Sequence, residues 1–181
     1  TLSTEIQARV GKIHVRVGDI VEKGKPLVSL DCSDYRLRQT ENDARIESLR
    51  AQIELAKKRL ERTEELLKKQ SIAEEMRDER ISALAVLNAD LKASHSQLKA
   101  AKLDVGRCLI SSPFHALIVE RTSSVGQFAR VGTSLLEIVD LDQLEVSGQI
   151  FNRDALQLAA ADGIFFEFDG ERYPLTLRTI V

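Results

Sequence analysis

The residues with the most chemical potential in this chain are few and scattered. There are two cysteines, Cys32 and Cys108, and three histidines, His14, His95 and His115. The histidines lie far apart, and no metal-ligand spacing links them to the cysteines. One methionine, Met76, is too few thioethers for a soft copper site. Two Gly-x5-Gly runs, Gly18 to Gly24 and Gly126 to Gly132, are not followed by a helix. They read as turns of β-structure and not as phosphate cradles. No nucleophile and base can be assembled into a catalytic constellation, so the expectation is a protein that is not an enzyme, with no cofactor and no metal. The net charge of -2 gives no reason to expect nucleic acid as a partner. The two cysteines have two open readings: a disulfide, or two buried thiols acting as small apolar side chains.

The elements that carry these residues come in three textures. Residues 8–31 alternate apolar and polar positions between glycines, as in Val10, Ile13, Val15 and Val17, which reads as strands and turns. Residues 109–140 return to the same texture. The two stretches are copies. Val17-Gly18-Asp19-Ile20-Val21 through Leu27-Val28 aligns with Val125-Gly126-Gln127-Phe128-Ala129 through Leu135-Leu136 at a constant offset of 108. Glycine suits turns that need a positive φ. One copy cannot bury its own apolar face, so two copies facing each other are expected to form a small flattened barrel or sandwich.

Between the copies, residues 33–107 contain no proline and no glycine before Gly106. They are rich in strong helix formers. Apolar residues recur in heptads: Ile46, Ile53, Leu60 and Leu67 with Leu49, Ala56 and Thr63, then Leu84, Leu91, Leu98 and Val105 with Leu87, Ser94 and Ala101. That pattern predicts an antiparallel coiled-coil hairpin. Ser71 and Glu74 fit a capping box that opens the second helix, which puts the tip near 69–74. Asp31, Ser33 and Asp34 are N-cap candidates for the first helix. The fold-back pairs residues whose numbers sum to about 140, so Leu49 faces Leu91 and Ile53 faces Leu87. The same register sets Cys32 across from Cys108. Phe165, Phe166 and Phe168 around Asp169-Gly170 predict a hairpin whose aromatics belong to a core.

The order half-module, helical hairpin, half-module resembles the periplasmic adaptor family, also called membrane fusion or HlyD-like proteins. The residues carrying the resemblance are Gly11-Lys12-Ile13 leading to Val17 through Leu27, Ser112-Pro113-Phe114 leading to Val125 through Phe128, and Ile138-Val139-Asp140-Leu141-Asp142-Gln143-Leu144-Glu145-Val146. The family's usual Asp-Gly after Pro-Phe is replaced here by His115-Ala116. The resemblance implies an α+β multi-module fold. A split lipoyl/biotinyl-like β-module (8–31 plus 109–140) is interrupted by the coiled-coil hairpin (33–107) and followed by part of a β-barrel (1–7 plus 141–181).

It also implies a role: an adaptor linking a cytoplasmic-membrane transporter to an outer-membrane channel-tunnel protein and self-associating in a ring. Hairpin length favours transporters of the resistance-nodulation-division type, with ABC-type pumps open. The expected location is the periplasm, with attachment to the cytoplasmic membrane by a part outside this chain. Many such adaptors carry Arg, Leu and Ser at the tip, and the matching positions here are Arg62, Leu66 and Ala73, so the serine is missing. An Arg fork suits recognition of backbone oxygens, and a Leu fits an apolar notch. Carrier domains share the half-module fold but need a lysine in a Met-Lys-Met or Asp-Lys-Ala context, which does not occur here. The alternative function is a coiled-coil scaffold with no export role.

Overall fold

A computed structural model describes residues 1–69, 74–149, 151 and 163–179. The chain divides into two compact units, Thr1–Asp140 and Leu141–Val181.

The first unit is a duplicated β-module split by two helices. Its first half holds β1 (Leu2–Ser3), β2 (Ala8–Ile13), β3 (Ile20–Val21) and β4 (Pro26–Asp31). Helices α1 (Ser33–Lys68) and α2 (Glu74–Gly106) follow. The second half holds β5 (Leu109–Ser111), β6 (Ala116–Arg121), β7 (Phe128–Ala129) and β8 (Ser134–Asp140). The halves exchange strands to make two four-stranded sheets, ordered β1-β8-β6-β3 and β5-β4-β2-β7. Replacing each strand by its counterpart in the other half converts one order into the other, so the unit has an internal pseudo-twofold.

The repeat extends into the hydrogen bonds. Gly18 N–H donates to the Ile118 carbonyl, and Gly126 N–H to that of Val10. Gly24 N–H donates to Ser112, and Gly132 N–H to Thr4. At both turns the glycines have positive φ, 90° and 83° in the first half and 88° and 83° in the second. An L side chain rarely adopts that backbone, which is why glycine recurs there. The apolar positions agree as well. Val10, Leu27 and Val28 are buried in one half, and Ile118, Leu135 and Leu136 occupy the matching positions in the other.

Residues 1–7, assigned from sequence to a barrel portion, belong instead to this unit. Leu2 pairs with Leu136 in β8, and Ile6 joins the core. The repeat explains why. Thr4, Ile6, Ala8 and Val10 match Ser112, Phe114, Ala116 and Ile118 at the same offset. The hydroxyls of Thr4 and Ser112 each donate to the carbonyl two residues on, at 2.6 Å. The signal lies in side-chain type and not in the glycine spacing, which starts only at Gly18.

The hairpin follows the heptads. Ile46, Leu49, Ile53, Thr63, Ser94, Leu98 and Ala101 are buried, and the other seam positions are half-buried. None of the three N-cap candidates occupies that position: the N-cap of α1 is Cys32. The Asp31 carboxylate accepts from the Ser33 amide and hydroxyl just beyond it, which satisfies one of the orphan donors of the first turn.

In the second unit β9 (Ile164–Phe168) and β10 (Glu171–Leu175) form an antiparallel hairpin. Asp169 and Gly170 both have positive φ, the backbone that a two-residue turn of this hand requires. Phe165, Phe166 and Phe168 were expected in a core, but they are exposed among the described residues. Two strands give one aromatic row, with Phe166 stacked near Phe168 and Tyr173 opposite, and among the described residues no second layer packs over it.

Candidate functional site

The hairpin has a fastened base and an exposed distal end. At the base, Cys32 and Cys108 form a disulfide with S–S 2.02 Å and Cα atoms 6.0 Å apart. It closes a loop with a sequence separation of 76. Both cysteines are buried in the β-module core. Around them each helix is tied to the segment before β2. The Tyr35 hydroxyl donates to the Gln7 carbonyl at 3.0 Å, with the Arg38 guanidinium over its ring. Arg107 bridges Glu5 at 2.7 Å and Asp104 at 3.1 Å. The Leu30 amide donates to the Cys108 carbonyl at 2.8 Å. Two hydrogen bonds from Ser33, first the hydroxyl and then the amide, hold the Asp31 carboxyl below its ordinary pKa.

Along the shaft the register is the one the numbering requires. Gln52, Leu55, Ala56 and Arg59 of α1 line a shallow cleft with Arg80, Ala83 and Leu87 of α2. Tracing the seam back from Leu84 by heptad spacing gives Arg80 and Arg77, both half-buried. Sequence reasoning that counted only apolar residues misses these two arginines; extending the heptad frame without regard to residue type finds them. Opposite them, buried Thr63 donates its hydroxyl back to the Arg59 carbonyl at 2.8 Å. The seam is therefore apolar in its middle and mixed in its distal third, where Thr63, Arg77 and Arg80 share it with Leu60 and Leu67.

At the distal end Arg62 and Leu66 lie one turn apart and both are exposed, Leu66 by 39%. Leu67 takes the seam and leaves Leu66 outside it. Among the described residues Arg62 has no ion-pair partner, although Glu61 and Glu65 flank it. The Lys69 amide donates to the Leu66 and Leu67 carbonyls and closes α1. Ala73, Ser71 and the capping box with Glu74 involve residues 70–73, which lie outside the described residues. The geometry thus offers a five-donor cation and an apolar side chain on one face of the rod, a combination suited to protein recognition. Among the described residues no group of three or more His, Cys, Asp or Glu could hold a metal ion, and no helix is long and apolar enough to cross a membrane.

No protein-family model matches the chain. Curated proteins do. The chain is 27% identical over 150 residues to nodulation protein NolF of Rhizobium meliloti, covering 83% of this chain and 41% of that protein. It is 25% identical over 174 residues to macrolide export protein MacA of Yersinia pestis, covering 87% and 47%. The chain therefore spans less than half the length of these two curated relatives.

Among solved structures, a putative efflux transporter from Bacteroides eggerthii aligns with TM-score 0.65 at 21% identity, over 96% of this chain and 50% of that one. MacA from Actinobacillus actinomycetemcomitans aligns with TM-score 0.60 at 15% identity, over 86% and 54%. The membrane fusion protein Spr0693 from Streptococcus pneumoniae aligns with TM-score 0.59 at 18% identity, over 73% and 54%. The resemblance to membrane fusion proteins read from the sequence is borne out in sequence relatives and in fold.

Proposed function

We propose that this chain is the hairpin-bearing part of a periplasmic adaptor of a tripartite efflux pump. It links a cytoplasmic-membrane transporter to an outer-membrane channel through the hairpin tip and has no catalytic role. The resistance-nodulation-division type of transporter is favoured, and the ABC type is the other candidate. The adaptor works in the periplasm, held at the cytoplasmic membrane by a part outside these 181 residues.

The observation that carries this reading is mechanical. Helices of 36 and 33 residues leave a small β-module side by side. A helix of that length is about 50 Å long. Its base is cross-linked and bonded to the module on both helices, while its far end presents Arg62 and Leu66 to solvent. A rod built this way transmits tilt from the module to whatever its tip touches. The named export function of MacA, a relative over most of this chain, points the same way.

Export from cells lacking the native protein tests it. Arg62→Asp and Leu66→Asp are expected to abolish complementation with protein levels unchanged. Arg50→Asp, on the exposed shaft, is expected to complement as wild type. Full export by both distal variants would contradict the reading and favour the coiled-coil scaffold, for which exposed Leu55 and Val86 on the shaft are the structural grounds.

A further inference from the structure

The sulfurs at the hairpin base lie beside a strap. Cys32 is 1% exposed and Cys108 5%. Residues 4–7 run past the base before β2 begins. Glu5 is tied to Arg107, the neighbour of Cys108, and Gln7 to Tyr35, near the start of α1. Between these ties Ile6 is buried and shares one core cluster with both cysteines. Continuing the β2–β4 register one residue past the Arg9–Asp31 pair sets Ala8 beside Cys32.

The far end of the strap is held by the last strands of the module. The Thr4 amide donates to the Thr133 carbonyl at 3.1 Å, and the Gly132 amide donates to the Thr4 carbonyl at 2.8 Å. Just before the strap, Leu2 pairs with Leu136. Residues 132–136 follow the hairpin in the chain, so the strap cannot pack before the second half of the module has folded. Pairing of the cysteines has no such requirement. Cys32 precedes α1 and Cys108 follows α2, so zipping the two helices is enough to bring them together. Contacts between neighbouring elements form ahead of those that join distant parts of the chain.

Thiol–disulfide exchange needs a thiolate to reach a sulfur, and buried sulfurs are closed to it. We propose that a dithiol oxidase, a protein with an exposed reactive disulfide, makes the Cys32–Cys108 bond after the hairpin zips and before the strap packs. The packed strap then shuts the bond to exchange. Cys32 is synthesised 76 residues ahead of Cys108 and reacts first. Its thiolate attacks the oxidase disulfide, which forms a mixed disulfide and releases one oxidase thiol. The Cys108 thiolate then attacks the Cys32 sulfur, which forms the chain's own bond and releases the second oxidase thiol. Two cysteine thiols are oxidised, one oxidase disulfide is reduced to a dithiol, and the two protons end on that dithiol. The bond is thus permanent in the folded chain and not a redox switch. This order goes beyond the adaptor reading and does not depend on what the hairpin tip binds.

Exchange rates on the 181-residue chain test it. Reduced chain refolded without oxidant and then given oxidised glutathione is expected to form the bond at least tenfold more slowly than chain refolded in its presence. Equal rates would overturn the order. A second arm starts from the native, bonded chain and so does not need the reduced chain to fold. Glu5→Ala with Tyr35→Phe removes both ties and leaves the core filled, and should speed reduction by dithiothreitol at least tenfold. Ile118→Val, in the core but in neither strap nor hairpin base, should leave that rate unchanged. No acceleration in the double variant, or equal acceleration in Ile118→Val, would mean that the strap is not the gate. In cells, Cys108→Ser removes the resolving thiol and should trap Cys32 in a mixed disulfide with a protein carrying a Cys-x-x-Cys pair, identified by mass spectrometry. Glutathione alone on Cys32, or no adduct, would overturn the enzymatic route. Export by the wild-type chain is read separately, and its loss would sink the adaptor reading and leave this order standing.

Discussion

At the scale of single residues, the roles are set by backbone and by local hydrogen bonds. Gly126 lies at φ 88° with nothing within 4 Å of where a Cβ would be. Its need is therefore conformational, and Gly126→Ala is expected to cost about 1–2 kcal/mol of stability. Gly106 closes α2 without a positive φ and also in open space. Gly106→Ala is expected to be neutral or to stabilise by up to about 1 kcal/mol. Urea melts of the two variants separate these outcomes, and equal effects would mean that the turn backbone is not the constraint. Asp31 gives a pH-dependent case. Its folded pKa is depressed, so its contribution to stability is present above the unfolded carboxylate value and is lost as pH falls through the folded value. Asp31→Asn is expected to flatten the acid side of the stability-pH profile. An unchanged acid limb would show that the Ser33 bonds do not matter. The spacing of Gly18, Gly24, Gly126 and Gly132 made these turns legible in the sequence. The Asp31–Ser33 arrangement was not, since Asp31, Ser33 and Asp34 had equally good capping side chains and the helix phase put Cys32 at the cap instead.

At the scale of elements, the hairpin was the most legible part. A heptad repeat fixes both the helix and the face it buries, and the tip could be bracketed by folding one stripe onto the other. Ile53 is 5% exposed in the seam and Leu55 49% exposed outside it. Ile53→Ala should therefore destabilise by about 2–4 kcal/mol. Leu55→Ala should stay within about 0.5 kcal/mol. Similar losses in thermal melts would contradict the assigned seam. The distal third was less legible because Arg77 and Arg80 hold seam positions without looking apolar. Long stems of this kind cover apolar surface while the charge reaches water. That part of the rod has the fewest buried apolar contacts, so its amides should exchange with solvent faster than those of 46–56. Segment 1–7 was misassigned because Leu2–Ser3 is too short a strand to show alternation. Only comparison with Ser112 to Ile118 reveals what it pairs with. The exposed aromatic row of β9–β10 was misread for another reason: alternation tells which side of a strand is apolar, not whether anything covers it.

At the scale of the whole chain, the account is that a duplicated β-module holds a long rod by its base and leaves its end free to dock. The Cys32–Cys108 bond fastens that base. A loop of 76 residues corresponds to about 4.5 kcal/mol of stabilisation in the chain-entropy model. Cys32→Ser with Cys108→Ser is expected to lower the melting temperature and to weaken export without abolishing it, since the Tyr35 and Arg107 ties remain. Unchanged melting would remove the bond from the account. The paired cysteines could be brought opposite each other from sequence by the same register as the leucines, but the choice between bond and free thiols needed the geometry. The residues proposed to dock were the least legible, because Arg62 and Leu66 are ordinary helix-surface types whose meaning depends on what lies beyond the tip. The most direct measurement is therefore photo-cross-linking in cells from a probe at each of positions 62 to 69, with mass spectrometry of the captured species. The account predicts capture of an outer-membrane channel from the face shared by positions 62 and 66, lost on Arg62→Asp when the probe is at 66. Capture of this protein alone, unchanged by Arg62→Asp, would contradict it.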